Sequence, residues 1–491
     1  MSPMRSRSRS ILARSRFVLA MAIMAAVLGA AASSAMATGK VNIVSQSGPP
    51  EGPIPPNTKY FTTIQAAVNA SFRKDWVLIE PGTYNEEVKV EKPHTYIHIR
   101  GMDRNGVILD GQHKPLPGGS NGIEVKENSN VWIENLTAKN FDRFTPDGPN
   151  GNAIWWNGGA DTGKIGARGW YGSYLTAYDD GLNGGYGIFT NNETIGSWQN
   201  IYASGFNDSG IYLGACQECR AKISKATIEY NAVGYSGSNG GGELVIENST
   251  FAHNSSGVVP NSENPGDGPP PQNGVCGKAN SLHPNPTPHF TTTAIQRCTI
   301  IRKNLITENN NLSAPGNPST NKAPWGVGVE LPGDYADWVT ENTITKNPNN
   351  GVLGFEYPNP FPPTEKTLFF QLAGNKISNN TFTENGTSLA SFAGDVALQG
   401  GLFSSGQSQS TNNCVSGNSF TAATYPAKIE ETWGCQNATT PNPNNGFGAV
   451  EYLIQLQGES EARTSVGQPV PGPQTTMPEP CEGVPLNPLC P

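Results

Sequence analysis

Short apolar runs bounded by asparagine recur along most of this chain. Residues 304–309, 342–347 and 380–385 share one pattern, in which two asparagines enclose a central isoleucine or phenylalanine followed by threonine. These runs begin 38 residues apart, and residues 248–254 are a version that is one residue longer. Because alternate residues of a strand face opposite sides, the central apolar residue of each run is predicted to point into one shared core.

A second spacing gives the size of the repeat. Gly187, Gly210, Gly234 and Gly257 are separated by 23, 24 and 23 residues, and an asparagine stands three residues before each of the last three. About 20–25 residues suffice for three short strands and their turns, which make one rung of a solenoid. A 38-residue interval is then one rung plus a loop. Leucine-rich repeats are excluded because their leucine scaffold is missing, and propeller blades need longer repeats.

We therefore predict an all-β, single-domain, right-handed parallel β-helix with an N-terminal helical cap and loop insertions. Its rungs stack about 4.8 Å apart, so an asparagine at a fixed corner can hydrogen-bond to the next rung and satisfy the turn backbone. Glycine is expected at these corners for the positive φ angles of tight turns.

The ends of the chain predict a leader, two caps and a tail. Basic residues precede an apolar stretch at 17–29 and an Ala-Met-Ala site, which is typical of a signal peptide over residues 1–37; an uncleaved anchor is the alternative. Residues 38–57 are then a lead and 58–445 the β-helix. Residues 62–65 form a capping box that opens an amphipathic cap helix through Ile64, Ala67 and Val68. Residues 446–461 are predicted as a C-terminal cap, helix or strand, and 462–491 as a proline-rich tail.

Charge and cysteine content restrict the partners and the compartment. Removing five leader arginines from 32 basic residues leaves 27 against 40 acidic ones, a net charge of −13. Nucleic acid and anionic membranes are therefore poor partners. No membrane span is expected after cleavage of the leader, and a monomer is predicted. Eight cysteines in an exported chain indicate disulfides, and we expect a secreted protein, with the cell envelope or periplasm as options. Neighbouring cysteines are predicted to pair: Cys216–Cys219, Cys276–Cys298, Cys414–Cys435 and Cys481–Cys490.

Two stretches carry a family resemblance. Residues 63–68, followed by Pro-Gly-Thr-Tyr-Asn-Glu-Glu-Val at 81–88, resemble the N-terminal entry of the pectin-lyase-like β-helix superfamily, which pectin methylesterases share. Residues 207–234 resemble the broad group of secreted right-handed β-helix repeat proteins. The resemblance covers roughly residues 58–420 and implies the fold and contact with carbohydrate.

No known chemistry of that superfamily transfers residue by residue. The active-site segments of pectin methylesterases, polygalacturonases and alginate epimerases have no counterpart, although Asp179-Asp180 resembles a paired-aspartate segment without its companions. No histidine cluster or second Cys-x-x-Cys motif supports a metal site.

Loop insertions predict where a cleft lies. The long irregular segments 158–171, 261–290, 332–337 and 358–366 mostly follow one strand of the rung, which begins with Gly-Ile or Gly-Val. Solenoid rungs accept insertions at corners, so one side is predicted to be walled by loops, and this wall is the default binding cleft.

Two similar stretches supply candidate acids for that cleft. Residues 326–332 and 351–358 match except for one additional residue, which would stack Glu330 and Glu356 about 5 Å apart on neighbouring rungs. Two carboxylates so close form an acid–base pair suited to glycosidic cleavage. The alternatives are a solvated pair, a Glu356 turned to the other face, or a Ca²⁺ site with Asp334. Predicted substrate-binding residues are Trp325, Asp334, Tyr335, Tyr212 and Gln399.

Aromatic pairs at 155–156 and 170–171 offer a possible sugar platform, but alternation places one residue of the first pair in the core. The predicted function is a secreted carbohydrate-active β-helix protein, a polysaccharide lyase or glycoside hydrolase, that cleaves or binds an extracellular polysaccharide. The alternative is a non-catalytic cell-surface or glycan-binding β-helix.

Overall fold

The computed structural model describes residues 39–114, 121–142, 151–159, 164–216, 218–262, 298–356, 372–400, 410–436, 442–443, 446–462 and 464–491. These residues form a right-handed parallel β-helix, which confirms the predicted fold. Three strand faces surround one apolar core, and a rung consists of one strand from each face.

Faces 1 and 2 belong to one 21-stranded sheet, because the long strands β9 and β11 run from one face to the next. Face 1 contains β1 (Val41–Val44), β2 (Thr58–Phe61), β3 (Trp76–Ile79), β6 (His98–Gly101), β9 (Val131–Lys139), β11 (Ala167–Tyr178), β13 (Glu193–Gln199), β16 (Ala221–Ser224), β19 (Leu244–Glu247), β22 (Thr299–Arg302), β25 (Trp338–Thr340), β28 (Lys376–Ser378) and β31 (Cys414–Ser416). Face 2 contains β4 (Gly82–Tyr84), β7 (Val107–Asp110), the second halves of β9 and β11, β14 (Tyr202–Ser204), β17 (Thr227–Glu229), β20 (Thr250–Ala252), β23 (Leu305–Thr307), β26 (Thr343–Thr345) and β29 (Thr381–Thr383).

Face 3 is a separate sheet of 11 strands. It contains β5 (Val88–Val90), β8 (Ile123–Lys126), β10 (Gly151–Asn157), β12 (Gly184–Asn191), β15 (Ser209–Gly214), β18 (Val233–Ser238), β21 (Ser256–Asn261), β24 (Val327–Pro332), β27 (Asn350–Phe355), β30 (Gly394–Leu398) and β32 (Thr424–Tyr425). The helices are α1 (Ile64–Ala70), α2 (Ile429–Thr432) and α3 (Ala449–Glu461), with a 3₁₀ turn at Thr320–Lys322.

Stacking in register builds the core from columns of like residues. Ile223, Ile246, Ile301 and Val339 occupy one inward column of face 1, paired strand to strand, and all are fully buried. Burying such a side chain stabilises the fold by about 1.5–3 kcal/mol. Insertions do not interrupt the column, so the 38-residue interval from Ile301 to Val339 is one rung plus a loop, as predicted.

Asparagine ladders hold the corners, as the sequence predicted. Asn304 donates its backbone N–H and its side-chain amide to Asn342 Oδ1, both at 3.0 Å, and Asn342 donates in the same way to Asn380. Each amide also donates to a backbone carbonyl of the preceding rung, as Asn342 does to Ile301 at 2.9 Å. In the longer run at 248–254, Ser249 rather than Asn248 takes the ladder position.

The expected role of the corner glycines is wrong. Gly187, Gly210, Gly234 and Gly257 do not have positive φ; the positive φ of the corner falls on the residue before the ladder asparagine, such as Tyr230 or His253. Glycine is needed for close packing, because a Cβ on Gly210 would stand 2.5 Å from the side-chain amide of Asn231 on the next rung.

The N-terminal cap differs from the prediction in two details. Helix α1 buries Ile64, Ala67 and Val68 as expected, but its N-cap is Thr63, and the carboxylate of Glu86 accepts the backbone N–H groups of residues 64 and 65. The predicted lead at 38–57 contains β1, which pairs with β2 and β3 and so belongs to the solenoid.

Two helices lie near the C-terminal end of the solenoid, where the sequence predicts one cap. Ile429 of α2 and the adjacent Trp433 join the main core and close its last rung. Helix α3 lies instead on the outer side of face 3, where Tyr452 and Leu456 pack with Leu353 and Ala397. A hydrogen bond also holds the helix on this face, since the Tyr452 hydroxyl donates to Asn350 Oδ1 at 2.7 Å.

The proline-rich tail runs back along the solenoid to its first rungs. Arg104 and Asn105 bond to residues 474–476, and Arg100 donates to the carbonyls of Pro480 and Glu482 at 2.9 and 2.8 Å. The tip, closed by Cys481–Cys490, packs on Trp76 and Leu78 of β3. The tail therefore ties the end of the chain to the beginning.

The disulfide predictions hold wherever both cysteines are described. Cys216–Cys219, Cys414–Cys435 and Cys481–Cys490 are bonded. Cys298 is also in a disulfide, and its predicted partner Cys276 lies outside the described residues.

The ladder predicts a large effect for one asparagine. In Asn342→Ala, the two Asn304 donors and the Ile301 carbonyl lose their partner, so the free energy of unfolding should fall by about 3 kcal/mol. Thr343→Ala, an exposed residue of the same rung, is the matched control. Equal denaturation midpoints for the two variants would contradict this role.

The tail predicts a local effect at the other end of the chain. Deleting residues 474–491 removes the acceptors of Arg100 and the apolar cover of Trp76. Amide hydrogen exchange should accelerate in β1 and β3 while β24 and β27 keep their protection. Unchanged exchange in β1 and β3 would show that the tail contacts do not stabilise the first rungs.

Candidate functional site

The predicted stacking of Glu330 on Glu356 is wrong. In the pairing of β24 with β27, Leu353 lies beside Glu330, and Pro332 pairs with Phe355. Glu356 comes three residues after the partner of Glu330, and strand alternation therefore turns it to the other face, which was one of the stated alternatives. The catalytic roles of the two glutamates stay predictions.

The face that carries Glu330 is covered rather than open. Helix α3 packs on the column of Leu353 and Ala397, and Trp325 donates from Nε1 to Glu459 Oε2 of that helix at 2.7 Å. Glu330 and Glu356 are 3% and 0% exposed. Among the predicted cleft residues, Trp325 therefore contacts a helix, and Glu330 lies beside Leu353, which that helix covers.

The remaining predicted contacts are also enclosed. Tyr212 is buried between Tyr186 and Phe189, and Asp334 is buried. Gln399 does lie on the rung after Glu356, where its side-chain oxygen accepts the Glu356 backbone N–H at 2.9 Å. The indole of Trp325 is half-buried against α3. Tyr335 is half-buried beside Cys298.

Glu330 and Asp334 nevertheless influence each other. Burial raises the pKa of Glu330 to about 8, against a hydrogen bond from Ser256 at 3.5 Å. Burial, followed by the charges of Asp337 and Glu330, raises the pKa of Asp334 well above its usual range. Burial and mutual repulsion therefore favour the protonated, neutral form of these acids inside the fold.

The aromatic pairs show why stacked rings make a poor sugar platform. Trp156 and Trp170 are in the core, while Trp155 and Tyr171 face outward, as alternation requires. Trp155 stacks on Phe189 at 5.1 Å and Tyr171 on Trp132 at 4.8 Å, with nearly parallel planes. Outward columns of a β-helix press ring faces together, so the rings present mainly their edges to solvent.

A different cluster lies at the corner between faces 2 and 3. His113, Asp142 and Asp179 follow the ends of β7, β9 and β11, three successive strands of face 2. The corner backbone stacks these segments, since Gly111 N–H donates to the Lys139 carbonyl and Asn140 N–H to the Tyr178 carbonyl. Residues 29 and 37 positions apart in the chain therefore become neighbours.

Both ring nitrogens of His113 are bonded to carboxylates. Nδ1 lies 2.9 Å from Asp142 Oδ2 and 3.5 Å from Asp179 Oδ1, and Nε2 lies 2.7 Å from Asp180 Oδ1. Asn140 donates to the other oxygen of Asp180 at 3.4 Å. We call His113, Asp142, Asp179 and Asp180 the corner cluster.

The corner cluster has a buried half and an open half. Asp142 and Asp179 are buried, whereas the side chains of His113 and Asp180 are 34% and 35% exposed. Burial raises the pKa of Asp142, and burial with the charge of Asp142 raises that of Asp179 to about 6. Burial acts to lower the pKa of His113, but the hydrogen bonds that its ring donates to Asp180 and Asp142 outweigh burial and raise the pKa.

Sequence reasoning missed most of this cluster. In the sequence, the pair at 179–180 resembles only an incomplete motif, and no motif contains His113 or Asp142. Each of the three segments comes directly after a face 2 strand, and that shared position was the available signal. Unequal insertions between the rungs hide it, because no fixed spacing links the residues.

The comparisons with known proteins concern the fold. Residues 313–469 match a family described as protein of unknown function (DUF1565). No curated protein matches the chain. Similar solved structures include the mannuronan C-5 epimerase AlgE6 A-module of Azotobacter vinelandii, with a TM-score of 0.42 and 14% identity over 74% of this chain and 90% of that one. The fold of the chain itself is a right-handed parallel β-helix, as its strand pairing shows.

Two further neighbours have the same architecture. A tailspike protein of E. coli bacteriophage HK620, solved with a pentasaccharide, has a TM-score of 0.41 and 13% identity over 71% of this chain and 55% of that chain. Pectate lyase Pel9A has a TM-score of 0.36 and 13% identity over 78% and 81%. Within the described residues, no helix has the length and apolar character needed to cross a bilayer.

The buried Glu330 predicts a pH-dependent stability. Its folded pKa is about 8 against an ordinary 4.5, so the native state holds an additional proton between these values and loses stability as the pH rises through them. Glu330→Gln has no proton to lose. The free energy of unfolding of this variant, relative to that of the wild type, should therefore rise by at most about 5 kcal/mol across this pH window. Urea unfolding at pH 5 and pH 8 measures it, with the exposed Glu384→Gln as control. A gain that does not change with pH would contradict the burial of a neutral acid.

Proposed function

We propose that this chain is a secreted carbohydrate-active β-helix protein that hydrolyses an extracellular polysaccharide at the corner cluster. One observation carries the proposal: a half-exposed histidine and aspartate stand in front of two buried carboxylates on adjacent rungs. Glycosidic hydrolysis needs a group that protonates the leaving oxygen and a carboxylate that activates water or stabilises positive charge.

The open half of the corner cluster supplies the reacting group. Asp180 is positioned by His113 and Asn140 and faces solvent, so its carboxylate is the catalytic residue of the proposal. His113 is a positioning residue that links Asp180 to the buried pair. Water adds across the glycosidic C–O bond, and its proton passes through Asp180 to the departing sugar oxygen.

Hydrolysis fits this cluster better than elimination. A lyase must neutralise the uronate carboxylate before it removes the neighbouring proton, for which cations are needed. Among the described residues, no lysine or arginine forms an ion pair with the corner cluster, and nearby Lys139 is paired with Asp110 at 3.1 Å. The side chains of the cluster by themselves therefore favour a neutral polysaccharide over a polyuronate.

Two segments of the chain lie near the corner cluster. The tail passes close to Asp180, where a Cβ on Gly467 would lie 2.7 Å from the Asp180 carbonyl oxygen. The other segment is the start of β12, where Gly184 bonds to Asp179, and its Tyr186 stacks against Phe189 on the outer side of face 3. The arginine-rich leader and the disulfides support export.

Glycan binding without cleavage is the second candidate function. The half-exposed group of Trp155, Phe189 and Tyr186 favours it, because ring edges and hydroxyl groups can line a sugar without any catalytic group. This function would leave the corner cluster as a structural element of the turn.

A polysaccharide panel separates the two functions. Reducing-end release from neutral and uronic polysaccharides should be confined to neutral ones and should fall at least about 100-fold in Asp180→Asn. The matched control is His253→Gln, since His253 is a corner residue with φ of 55° against 54° for His113 and has a carboxylate neighbour. It should keep wild-type turnover.

Three results would count against hydrolysis at the corner cluster. Equal product release by the wild type and Asp180→Asn would place the reaction elsewhere. Products with unsaturated ends would indicate a lyase. Retained glycan affinity with no products from any polysaccharide would replace the proposal with the second function.

A further inference from the structure

We propose that the corner cluster binds one divalent transition-metal ion through His113 Nδ1 and one carboxylate oxygen each from Asp142 and Asp179. These three atoms lie within 4.8 Å of one another, and Nδ1 is 2.9 and 3.5 Å from the two oxygens. Atoms bound to one ion at about 2.1 Å are at most about 4.2 Å apart, so only a small contraction is needed.

The far nitrogen of His113 already has the partner that a metal-binding imidazole needs. Asp180 Oδ1 lies 2.7 Å from Nε2, so the carboxylate accepts the Nε2 proton, and replacing the Nδ1 proton by a metal ion would direct the Nδ1 lone pair to an ion between Asp142 and Asp179. A carboxylate behind a histidine fixes the tautomer and raises its basicity at metal centres. Asn140 holds the second oxygen of Asp180 in turn.

An unpaired oxygen marks the place for a cation. Asp142 is 1% exposed, and its Oδ1 has no hydrogen-bond partner, although the side chain is aimed into the corner cluster. Three carboxylates face a single imidazole, and no described lysine or arginine is paired with them. Buried negative charge of this density requires a compensating positive charge, which a dication would supply.

Glycines keep the site open and hold one ligand in place. A Cβ on Gly181 would stand 2.8 Å from His113 Cε1 and 3.0 Å from Nδ1, so a side chain there would displace the imidazole. The backbone N–H groups of Gly181 and Gly184 donate to the two oxygens of Asp179 at 3.1 and 2.7 Å. Asp179 is therefore oriented before any ion arrives.

The ligand set selects the class of ion. One imidazole with two carboxylates suits Zn²⁺ or Mn²⁺, whereas Ca²⁺ prefers six to eight oxygen ligands. This site differs from the Ca²⁺ site suggested by sequence near Glu330 and Asp334. The inference goes beyond the proposed hydrolysis, because binding of the ion is measured without any polysaccharide.

The test uses the full exported chain stripped of metal with a chelator. Calorimetric titration with ZnCl₂ and with MnCl₂ should show one site per chain, and neither titration should be matched by CaCl₂. His113→Gln and Asp142→Asn should each weaken binding at least about 100-fold. Asp180→Asn, which loses only the outer partner of the histidine, should weaken it about 10–100-fold. The control His253→Gln should bind as the wild type does.

The outcomes that overturn the inference are specific. They are no stoichiometric binding of Zn²⁺ or Mn²⁺, unchanged affinity in His113→Gln, or preference for Ca²⁺, each in protein whose circular dichroism confirms folding. Failure of this inference and failure of the proposed hydrolysis are distinguishable. Metal binding without product release would refute hydrolysis alone, and product release without metal binding would refute the ion alone.

Discussion

The hydrogen bonds between corner asparagines are the constraint on which the rest of the structure depends. A tight turn leaves backbone groups without partners. Each ladder side chain accepts from the asparagine of the preceding rung and donates to the asparagine of the next, as Asn342 does with Asn304 and Asn380. A slip of one residue would break the whole ladder and turn core side chains outward. The ladder thus fixes the register of the strands that flank it, whatever the length of the loop between two rungs.

Fixed register also decides where chemistry is possible. On a face, an outward side chain stacks on the side chains at the same position of the neighbouring rungs. Such neighbours cover much of each other's surface, as Trp132 and Tyr171 do. At a corner the chain can leave the repeat and return. The corner cluster arises there, because the turns after β7, β9 and β11 place His113, Asp142 and Asp179 side by side.

The parts outside the repeat change what the faces present. Helix α3 covers the outer side of face 3 over the last rungs, where Leu353 lies beside Glu330 of the predicted cleft. The tail passes the corner cluster and then seals the first rungs through Arg100 and the Cys481–Cys490 tip. Both segments act over distances that no local pattern encodes, since Glu459 of α3 bonds to Trp325, 134 residues away, and Glu482 of the tail bonds to Arg100, 382 residues away.

The sequence by itself determined the repeat, the inward columns, the ladders and the disulfides that are described, because these depend on periodicity and neighbouring residues. It failed where one residue matters: the register of Glu356, the ladder place of Ser249 and the role of the corner glycines. It could not find His113 and Asp142, since insertions of unequal length separate them. Only the tertiary structure decided which corners coincide and which faces are covered, because those depend on contacts between distant segments rather than on local pattern.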